Sequence, residues 1–583
     1  MNRATKNRGP DDEGAYSGPQ ATLGHVRLSI IDLSEKGRQP MSNEDDTIWI
    51  VYNGEIYNYK EIRKELDEKG HTFQSCTDTE VVLHAYEEYG MECLKHFNGM
   101  WAFCIYDIKQ NSLILCRDRF GIKPLYYYIS GGKIIFSSMI AGILCHAPDT
   151  SPNDKAIMQF LAYNLEDHSA DTFFNNISRL EPGCLLKYSL DTGLYKTIKW
   201  YSISQRKGSD EKDIRDAFIE SIRLRTVADV PVGSCLSGGI DSTSIVCTLS
   251  KYLDYPFDTF SYVSPGSPTD ETRYMKEVGR HANINQYFTQ ITENNFLDDL
   301  DDFLEAQEEP VTGLSVYAQY RVMKLAHEKG AKVLLDGQGG DEIFAGYIYY
   351  FSYYFYELLC RRNLFRLFSE MFQYVCNFKN LFPVKMFHFM LLPEFIKKMV
   401  WGRIINSWIN HDMLNSSGVG ITDPRWNKMT LNEALRMTLS STAIPHLLRW
   451  EDKNAMRWGI ENRVPFLDVN LVEKALSLPG KARIANGKTK IIFKNAVKNI
   501  IPELIRSRKD KIGFTVPVDD FIRKTKVAEY CRQIIFSDSF RKRPYWKWTK
   551  VEKMFSSHIK GKKNFGNEIW KWINLELWLR KYF

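Results

Sequence analysis

The stretch at residues 230–246 constrains the fold of this chain most strongly, because an apolar run ends at Leu236 and Ser-Gly-Gly-Ile-Asp-Ser follows it. This order predicts a strand, a turn and a helix that begins near Asp241. The two glycines let the backbone approach an anion closely, the serine hydroxyls can bond to it, and the first amides of the helix face it. We predict a phosphate-binding loop that consists of Leu236, Ser237, Gly238, Gly239, Asp241 and Ser242.

Asp241 distinguishes this loop from an ordinary glycine-rich turn, which is the alternative interpretation. A carboxylate among anion-binding groups is best explained by a bound cation. The spacing of the glycines is neither that of a Walker loop nor that of a dinucleotide fingerprint. The sequence therefore predicts a nucleotide that binds as its magnesium complex, with Asp241 as one metal ligand.

A second glycine-rich segment, Asp-Gly-Gln-Gly-Gly-Asp-Glu at residues 336–342, directly follows a predicted strand at 331–335. Strands and helices are predicted to alternate in this part of the chain, which favours a doubly wound parallel sheet with ligands at the carboxyl ends of its strands. Asp341 and Glu342, expected on a loop, suit magnesium and a pyrophosphate leaving group. In the alternative interpretation the segment is a plain turn, and both carboxylates complement the dipole of the next helix.

The length of 583 residues exceeds what one hydrophobic core usually supports, so we expect two or more domains. The eleven cysteines show no metal-ligand spacing and no signal peptide opens the chain, which predicts reduced thiols and a cytoplasmic location. A net charge of +6 is small for this length and gives no reason to expect a nucleic-acid partner. The aromatic stretch at 347–409 is interrupted by charged residues, so we expect packed helices and no membrane contact, with the role of the whole insert 347–425 left open.

The chain before residue 206 alternates short predicted strands with turns and helices, and four motifs lie at its turns and strand ends. These motifs occupy residues 25–32, 52–58, 77–80 and 117–126. In this order they resemble the class II glutamine amidotransferase domain. That resemblance implies an N-terminal-nucleophile fold, an αββα sandwich in which two stacked sheets lie between helix layers, over residues 1–205.

The resemblance also implies roles for five residues. The arginine that matches Arg27 holds the carboxylate of glutamine, which suits its forked donor, and Glu55 and Asp78 hold the α-amino group. Asn53 and the amide of Gly54 form the oxyanion hole. Taken without the other motifs, Asn53-Gly54 would predict a hairpin turn and Arg27 a surface residue.

The nucleophile of that family has no match in this sequence. The family uses a cysteine that becomes the first residue when the initiator methionine is removed. Here Met1 is followed by Asn2, only seven residues precede the Arg-Gly-Pro-Asp motif that starts at Arg8, and the first cysteine is Cys76. We expect the first strand and the nucleophile of the domain to be missing and its glutaminase activity to be absent. A shortened chain and a natural loss both remain open.

The loop at 236–242, preceded by Asp-Val-Pro-Val-Gly, resembles the pyrophosphate loop of the N-type ATP pyrophosphatases and specifically of the asparagine synthetase family. Similar segments occur at 447–456, 461–468, 487–494 and 508–514. Members of this family cleave ATP between the α and β phosphates and adenylate a carboxylate. The resemblance extends the predicted ATP site to Val263, Asp336 and Gly337, and it implies Asp241 and Asp341 as magnesium ligands.

Two further positions bear on the chemistry that this resemblance implies. Lys490 matches the lysine that neutralises the α-phosphate in the transition state, although without the motif it would be interpreted as part of a solvated helix face. Gln338 stands where the family has a glutamate that serves the nucleophilic half-reaction, and a glutamine cannot accept a proton. Glu342 or Glu461 could replace that base, or ammonia could arrive already neutral.

These observations give one hypothesis and two alternatives. We predict an asparagine synthase domain at 206–583, with a helical C-terminal part, that uses ATP and Mg²⁺ to adenylate the side-chain carboxylate of aspartate. The nitrogen comes from glutamine in intact relatives and from free ammonia in this chain as given. The same chemistry on another carboxylate, such as a sugar acid, is the first alternative, and a non-catalytic protein that binds nucleotide or glutamine is the second. A homodimer is left open.

Overall fold

The computed structural model describes residues 1–147, 149–204, 208–253, 255–404, 407–419, 423–508 and 514–583. The expected domain boundary between residues 205 and 206 lies outside the described residues, as does most of the motif at 508–514. Among the described residues, no helix combines the length and the apolar character that crossing a membrane requires.

The N-terminal part of the chain consists mainly of antiparallel strands. Its strands are β1 (Asp12–Ser17), β2 (Thr22–Arg27), β3 (Met41–Ser42), β4 (Ile48–Ile56), β5 (Gly99–Asp107), β6 (Ser112–Arg117), β7 (Tyr126–Ser130), β8 (Lys133–Ser137), β9 (Ile177–Arg179), β10 (Cys184–Ser189) and β11 (Tyr195–Lys199). Its helices are α1 (Asn2–Thr5), α2 (Tyr59–Glu68), α3 (Asp78–Tyr89), α4 (Ile140–Leu144) and α5 (Asp154–Tyr163).

These strands form three antiparallel sheets within the described residues. The largest has the order β11-β10-β6-β5-β4-β3, a second has the order β8-β7-β9, and β1 pairs with β2. Helices α2 and α3 pack on each other, and α3 also packs on β4. Strand β4 continues as far as Ile56, so Asn53 and Gly54 lie inside a strand and the hairpin-turn interpretation of this pair is wrong. Strands β5 and β6 pair with each other as an antiparallel hairpin.

The C-terminal part is mainly helical around a parallel sheet. Its strands are β12 (Val232–Cys235), β13 (Phe257–Tyr262), β14 (Ile284–Thr289), β15 (Val333–Leu335) and β16 (Glu461–Arg463). Its first helices are α6 (Glu211–Arg225), α7 (Ile240–Leu249), α8 (Thr272–His281), α9 (Glu293–Gln307), α10 (Ser315–Glu328) and α11 (Gly340–Phe344). The insert at 347–425 holds α12 (Tyr350–Cys360), α13 (Leu364–Phe378), α14 (Phe382–Leu391), α15 (Glu394–Ile404) and α16 (His411–Ser416), and α17 (Leu431–Met437) follows it.

The remaining helices complete this part of the chain. They are α18 (Ile444–Met456), α19 (Val469–Ser477), α20 (Gly480–Arg483), α21 (Ile491–Ala496), α22 (Glu503–Arg506), α23 (Val518–Ile522), α24 (Thr525–Ile535), α25 (Asp538–Lys542), α26 (Trp548–Ile559) and α27 (Gly566–Tyr582). Trp570, Trp572 and Trp578 of α27 are buried and form part of the hydrophobic core.

The parallel sheet has the order β14-β13-β12-β15-β16, and every pairing in it is parallel. Successive side chains of a strand point to opposite faces of the sheet, so their neighbours show whether both faces are covered. Val333 and Leu335 belong to the core that contains α6 and α7, whereas Leu334 between them belongs to the core that contains α9 and α10. The predicted doubly wound arrangement is therefore confirmed, and it places the ends of β12 and β15 side by side.

Candidate active sites

A cavity of about 320 Å³ opens at the carboxyl ends of β12 and β15, beside the start of α7. It contains most of the residues predicted for ATP and for catalysis. Those that line it are Leu236, Ser237, Gly239, Asp241, Ser242, Asp336, Gly337, Gln338, Asp341 and Lys490. Residues separated by about 250 positions in the sequence thus meet in one site.

The loop before α7 has the form that its sequence predicts. Gly238 has φ +75°, and a Cβ there would lie 2.9 Å from the Cβ of Tyr274, so only glycine fits. The hydroxyls of Ser237 and Ser242 lie 3.0 Å apart, and the Ser242 hydroxyl accepts a hydrogen bond of 3.1 Å from the amide of Ser237. No described side chain caps the start of α7. Its first amides therefore suit an anion in the cavity.

Lys490 lies between two carboxylates at the centre of this cavity. Its Nζ is 2.6 and 2.5 Å from the two oxygens of Asp241 and 2.6 Å from Oδ1 of Asp341. The two aspartates lie in the first turns of α7 and α11, so the expectation that both stand on loops is wrong. A Cβ on Gly346 would lie 1.7 Å from the Asp341 carboxylate, so this arrangement requires a glycine there.

The donor set fits a divalent cation by chemical type. Two carboxylates that converge on one positive charge supply the hard oxygen ligands that Mg²⁺ prefers. Asp241 and Asp341 already share one cation, the ammonium of Lys490, within 2.6 Å. A magnesium ion held by these oxygens would displace that ammonium, which could then turn toward a phosphate in the same cavity.

Asp336 and Gln338 line the same cavity from the end of β15. Burial raises the pKa of Asp336 to about 6. Burial, followed by the charge of Asp336, raises the pKa of Glu451 on α18 well above its usual range. Sequence reasoning assigned Asp336 only to ATP binding, and nothing in the sequence shows that its carboxylate is buried beside a second one.

Three predicted residues do not line the cavity. Glu342 is buried, accepts a hydrogen bond of 3.1 Å from the hydroxyl of Tyr347, and has a pKa that burial raises. Val263 is also buried, and its amide donates to the carbonyl of Thr289 at 2.9 Å. Gly238 shapes the loop rather than the cavity wall. Glu342 therefore lies beside Asp341 and within reach of the charges of Lys490 and Asp241, but outside the cavity lining, as does Val263.

Arg508 and Lys494 are cations of this cavity that had no predicted role. The guanidinium of Arg508 lies 2.6 Å from Glu271 and 3.8 Å from the ring centre of Tyr274, and it donates to the carbonyl of Gly238 at 3.1 Å. Burial and the nearby charge of Lys490 lower the pKa of Lys494 to about 8. Together with Lys490 they make three cationic side chains in one cavity, a number that suits a triphosphate.

A second cavity, of about 730 Å³, lies in the N-terminal part of the chain. All five residues predicted for glutamine line it, namely Arg27, Asn53, Gly54, Glu55 and Asp78. The guanidinium of Arg27 is held by the carbonyls of Ile31, Asp32 and Ser34 at 3.3, 2.5 and 2.7 Å. Arg27 is buried, so its interpretation as an ordinary surface residue is wrong.

The carboxylates of this second cavity are strongly buried. Asp78, in the first turn of α3, accepts hydrogen bonds of 2.8 Å from the Tyr52 hydroxyl and from the Ile56 amide. Burial raises the pKa of Asp78 to about 6 and that of Glu55 well above its usual range. Gly54 has φ +154°, and a Cβ there would lie 2.0 Å from the carbonyl oxygen of Met100. That close approach explains a glycine inside a strand.

Cys104 is the thiol that lines the second cavity among the described residues. Burial raises its pKa, which keeps it in the unreactive protonated form. Cys76, two residues before Asp78, is exposed and lies outside the cavity lining. Neither thiol has the setting of a nucleophile.

Comparison with known proteins identifies the family of this chain. The sequence profile described as asparagine synthase matches residues 213–580, and that described as glutamine amidotransferase domain matches residues 1–201. This chain belongs to the asparagine synthase family. It is 30% identical to asparagine synthetase (glutamine-hydrolyzing) 1 of Bacillus subtilis (strain 168), over 99% of this chain and 92% of that protein. It is 28% identical to asparagine synthetase (glutamine-hydrolyzing) 3 of the same organism, over 87% and 82%.

In this member of the asparagine synthase family, buried ion pairs join the N-terminal and C-terminal parts of the chain beside the second cavity. Glu461, at the start of β16, lines the glutamine cavity and lies 3.5 Å from Lys123 and 2.8 Å from Arg463. Arg463 in turn lies 3.6 Å from Glu55. A buried pair of Arg8 and Asp452, 2.6 Å apart, also crosses between the two parts of the chain.

A third, small cavity of about 10 Å³ lies beside these ion pairs. It shares Lys123 and Met456 with the glutamine cavity and is also lined by Glu451, whose charge interacts with Asp336 of the synthase cavity. Such a volume holds about one water-sized molecule.

Proposed function

We propose that this chain is an asparagine synthase, which uses ATP to amidate the side-chain carboxylate of aspartate through a β-aspartyl-AMP intermediate. The main support is that one cavity contains the anion-binding loop at 236–242, two converging carboxylates and three cationic side chains. Family membership agrees with this reaction, because the two relatives from Bacillus subtilis compared above are named asparagine synthetases.

In the adenylation step, a carboxylate oxygen of aspartate attacks the α-phosphorus of ATP, the bond between the α and β phosphates breaks, and pyrophosphate leaves. The amides at the start of α7 and the hydroxyls of Ser237 and Ser242 bind the phosphates. Lys490 neutralises the charge that develops on the α-phosphate, and Arg508 orients the loop through the carbonyl of Gly238. Asp241 and Asp341 would hold Mg²⁺, which supplies charge neutralisation for the leaving pyrophosphate when bound.

In the amidation step, nitrogen attacks the activated carbonyl, AMP leaves, and the nitrogen loses a proton. Gln338 cannot accept that proton, and Glu342 does not line the cavity. Asp336 lines it, and its pKa of about 6 leaves most of the carboxylate unprotonated at neutral pH. We assign Asp336 as the base that accepts this proton from the nitrogen.

The second cavity is the glutamine-binding site in this proposal. Arg27 binds the carboxylate of glutamine, Glu55 and Asp78 bind its amino group, and Asn53 with the Gly54 amide stabilises the oxyanion. Because the thiols described above are unsuited to attack, the chain as given takes free ammonia. A cytoplasmic location is proposed as well, since all eleven cysteines are free thiols. A homodimer is one option for its assembly.

Pyrophosphate release tests the proposal. The purified chain is incubated with ATP, Mg²⁺ and ammonium, and aspartate is compared with glutamate and with a panel of sugar acids. We expect pyrophosphate and asparagine in equal amounts when aspartate is the carboxylate, and no pyrophosphate release with the other carboxylates. Release with a sugar acid and not with aspartate would establish the first alternative. ATP binding without pyrophosphate release in any mixture would establish a non-catalytic relative.

A further inference from the structure

Helix α13 exposes an aromatic face that the sequence predicts to be packed. Phe365, Phe368 and Phe372 are 88, 65 and 71% exposed, and their spacing of three and four places them on one side of the helix. Leu367 and Tyr374 on the opposite side are buried. The helix is therefore apolar on both faces, and the protein covers one of them.

Positive charges flank this phenylalanine face at both ends. Arg361 and Arg362 precede the helix, Lys379 follows it, and all three are exposed. Arg361 caps the end of α12 and lies 2.9 Å from Glu357, so the charges next to the two ends of α13 are those of Arg362 and Lys379. Glu370 is the single acidic residue of the sequence between positions 361 and 380, and it is buried.

We propose that the phenylalanine face of α13 docks on the surface of an anionic phospholipid bilayer. Exposed aromatic side chains enter the interface between headgroups and acyl chains, while arginine and lysine contact the phosphates. A second copy of this chain fits the face less well. If two α13 helices packed face to face in either direction, the cationic ends of one would meet the cationic ends of the other.

The proposal departs from the expectation of packed helices without membrane contact, and it does not depend on the proposed reaction. A surface contact of this kind differs from a membrane span. Neighbouring helices of the insert also expose apolar side chains, since Phe395 and Met399 of α15 are 72 and 53% exposed. The insert thus exposes apolar side chains on more than one helix.

The buried side of α13 touches the segment that leads to Lys490. The carboxylate of Glu370 accepts hydrogen bonds from the amides of Asn486 and Gly487 at 3.2 and 3.0 Å. A Cβ on Gly487 would lie 2.7 Å from the side-chain amide nitrogen of Asn377, so the helix and this segment are in close contact. Docking through the outer face would therefore place the synthase cavity close to the bilayer, with α13 between them.

Vesicle co-sedimentation of the full chain tests this docking. Vesicles of phosphatidylcholine alone are compared with vesicles that contain equal parts of phosphatidylcholine and phosphatidylglycerol. We expect binding to the anionic vesicles that weakens as salt is added. The triple variant Phe365→Ser, Phe368→Ser, Phe372→Ser should bind at least about tenfold more weakly. The single variants Arg362→Gln and Lys379→Gln each remove one positive charge, and each should weaken binding to the anionic vesicles roughly fivefold.

A matched control removes apolar side chains that are exposed elsewhere. The variant Leu194→Ser, Tyr195→Ser, Ile198→Ser on and beside β11 should bind like the parent. Equal sedimentation of the parent with both kinds of vesicle would refute the proposal. So would retention of binding by the triple phenylalanine variant. Light scattering is measured on the same samples, and a smaller assembly of the phenylalanine variant without any vesicle binding would assign the face to a second copy instead.

Discussion

Replacing Lys490 with methionine removes the ammonium that joins Asp241 and Asp341. The change leaves two carboxylates close together without the cation that both contact within 2.6 Å. Removing one partner of a buried ion pair costs about 3–5 kcal/mol of folding free energy. We expect the lower end, about 3 kcal/mol, because the Asp241 side chain is 13% exposed and gains some hydration.

Magnesium should restore most of this loss in the variant. A ligand that binds the folded state at one hundred times its dissociation constant stabilises it by about 2.7 kcal/mol. In the parent the ion must displace the ammonium of Lys490, so Mg²⁺ without ATP should stabilise the parent much less. The variant should also lose at least about a hundredfold in ATP–pyrophosphate exchange, since the cation that faces the α-phosphate is gone.

The assay is thermal unfolding of both proteins over a Mg²⁺ titration without nucleotide. Lys494→Met is the matched control, because the ammonium of Lys494 also lines the cavity but donates to the carbonyl of Arg508 at 3.1 Å. Its unfolding should show no added dependence on Mg²⁺. The reasoning fails if Lys490→Met is as stable as the parent without the ion, or if Mg²⁺ stabilises both proteins equally.

We expect four further outcomes. Asp336→Asn should slow amide formation by about a hundredfold while pyrophosphate exchange stays within a few-fold, and Gln338→Glu in that background should recover part of the rate. Loss of both half-reactions in Asp336→Asn would instead show that this residue positions ATP. In the parent, amide formation should fall as the pH drops below about 6, where Asp336 becomes protonated. Arg8→Met should lower the free energy of unfolding by about 3 kcal/mol because it leaves Asp452 buried and unpaired, and adding Asp452→Leu should recover much of it. The chain as given, with or without Cys104→Ser, should form no glutamate from glutamine, and glutamate formation that a glutamine-analogue alkylator blocks would contradict this.

The local parts of the synthase cavity could be predicted from the sequence. The loop at 236–242 forms because two glycines and a following helix determine its shape within seven residues. The contacts of Arg508 could not be predicted in the same way. They depend on bringing residue 508 to Gly238 and Glu271, which lie more than two hundred residues earlier. The pKa of Asp336 likewise depends on burial beside Glu451, which only the packing of α18 reveals.

Periodicity also cannot tell which face of a helix the protein covers. The sequence of α13 is apolar on both sides, so it predicts burial equally well for Phe368 and for Tyr374. Only Tyr374 is buried. The environment of Arg27 could not be predicted either. On its own it looks like a surface residue, but in the fold three carbonyl oxygens accept hydrogen bonds from its guanidinium.

The edge strand β16 contacts residues that line both cavities. Its first residue, Glu461, lines the glutamine cavity, and its last residue, Arg463, accepts a backbone hydrogen bond of 2.9 Å from the amide of Asp336, which lines the synthase cavity. Residues two apart in a strand are separated by about 7 Å. Residues that line the two cavities are therefore connected through one short strand and not only through the linker between the two parts of the chain. Because the Arg463 side chain also lies 3.6 Å from Glu55, a ligand that changes the charge of Glu55 acts on the same residue whose carbonyl holds Asp336 in place.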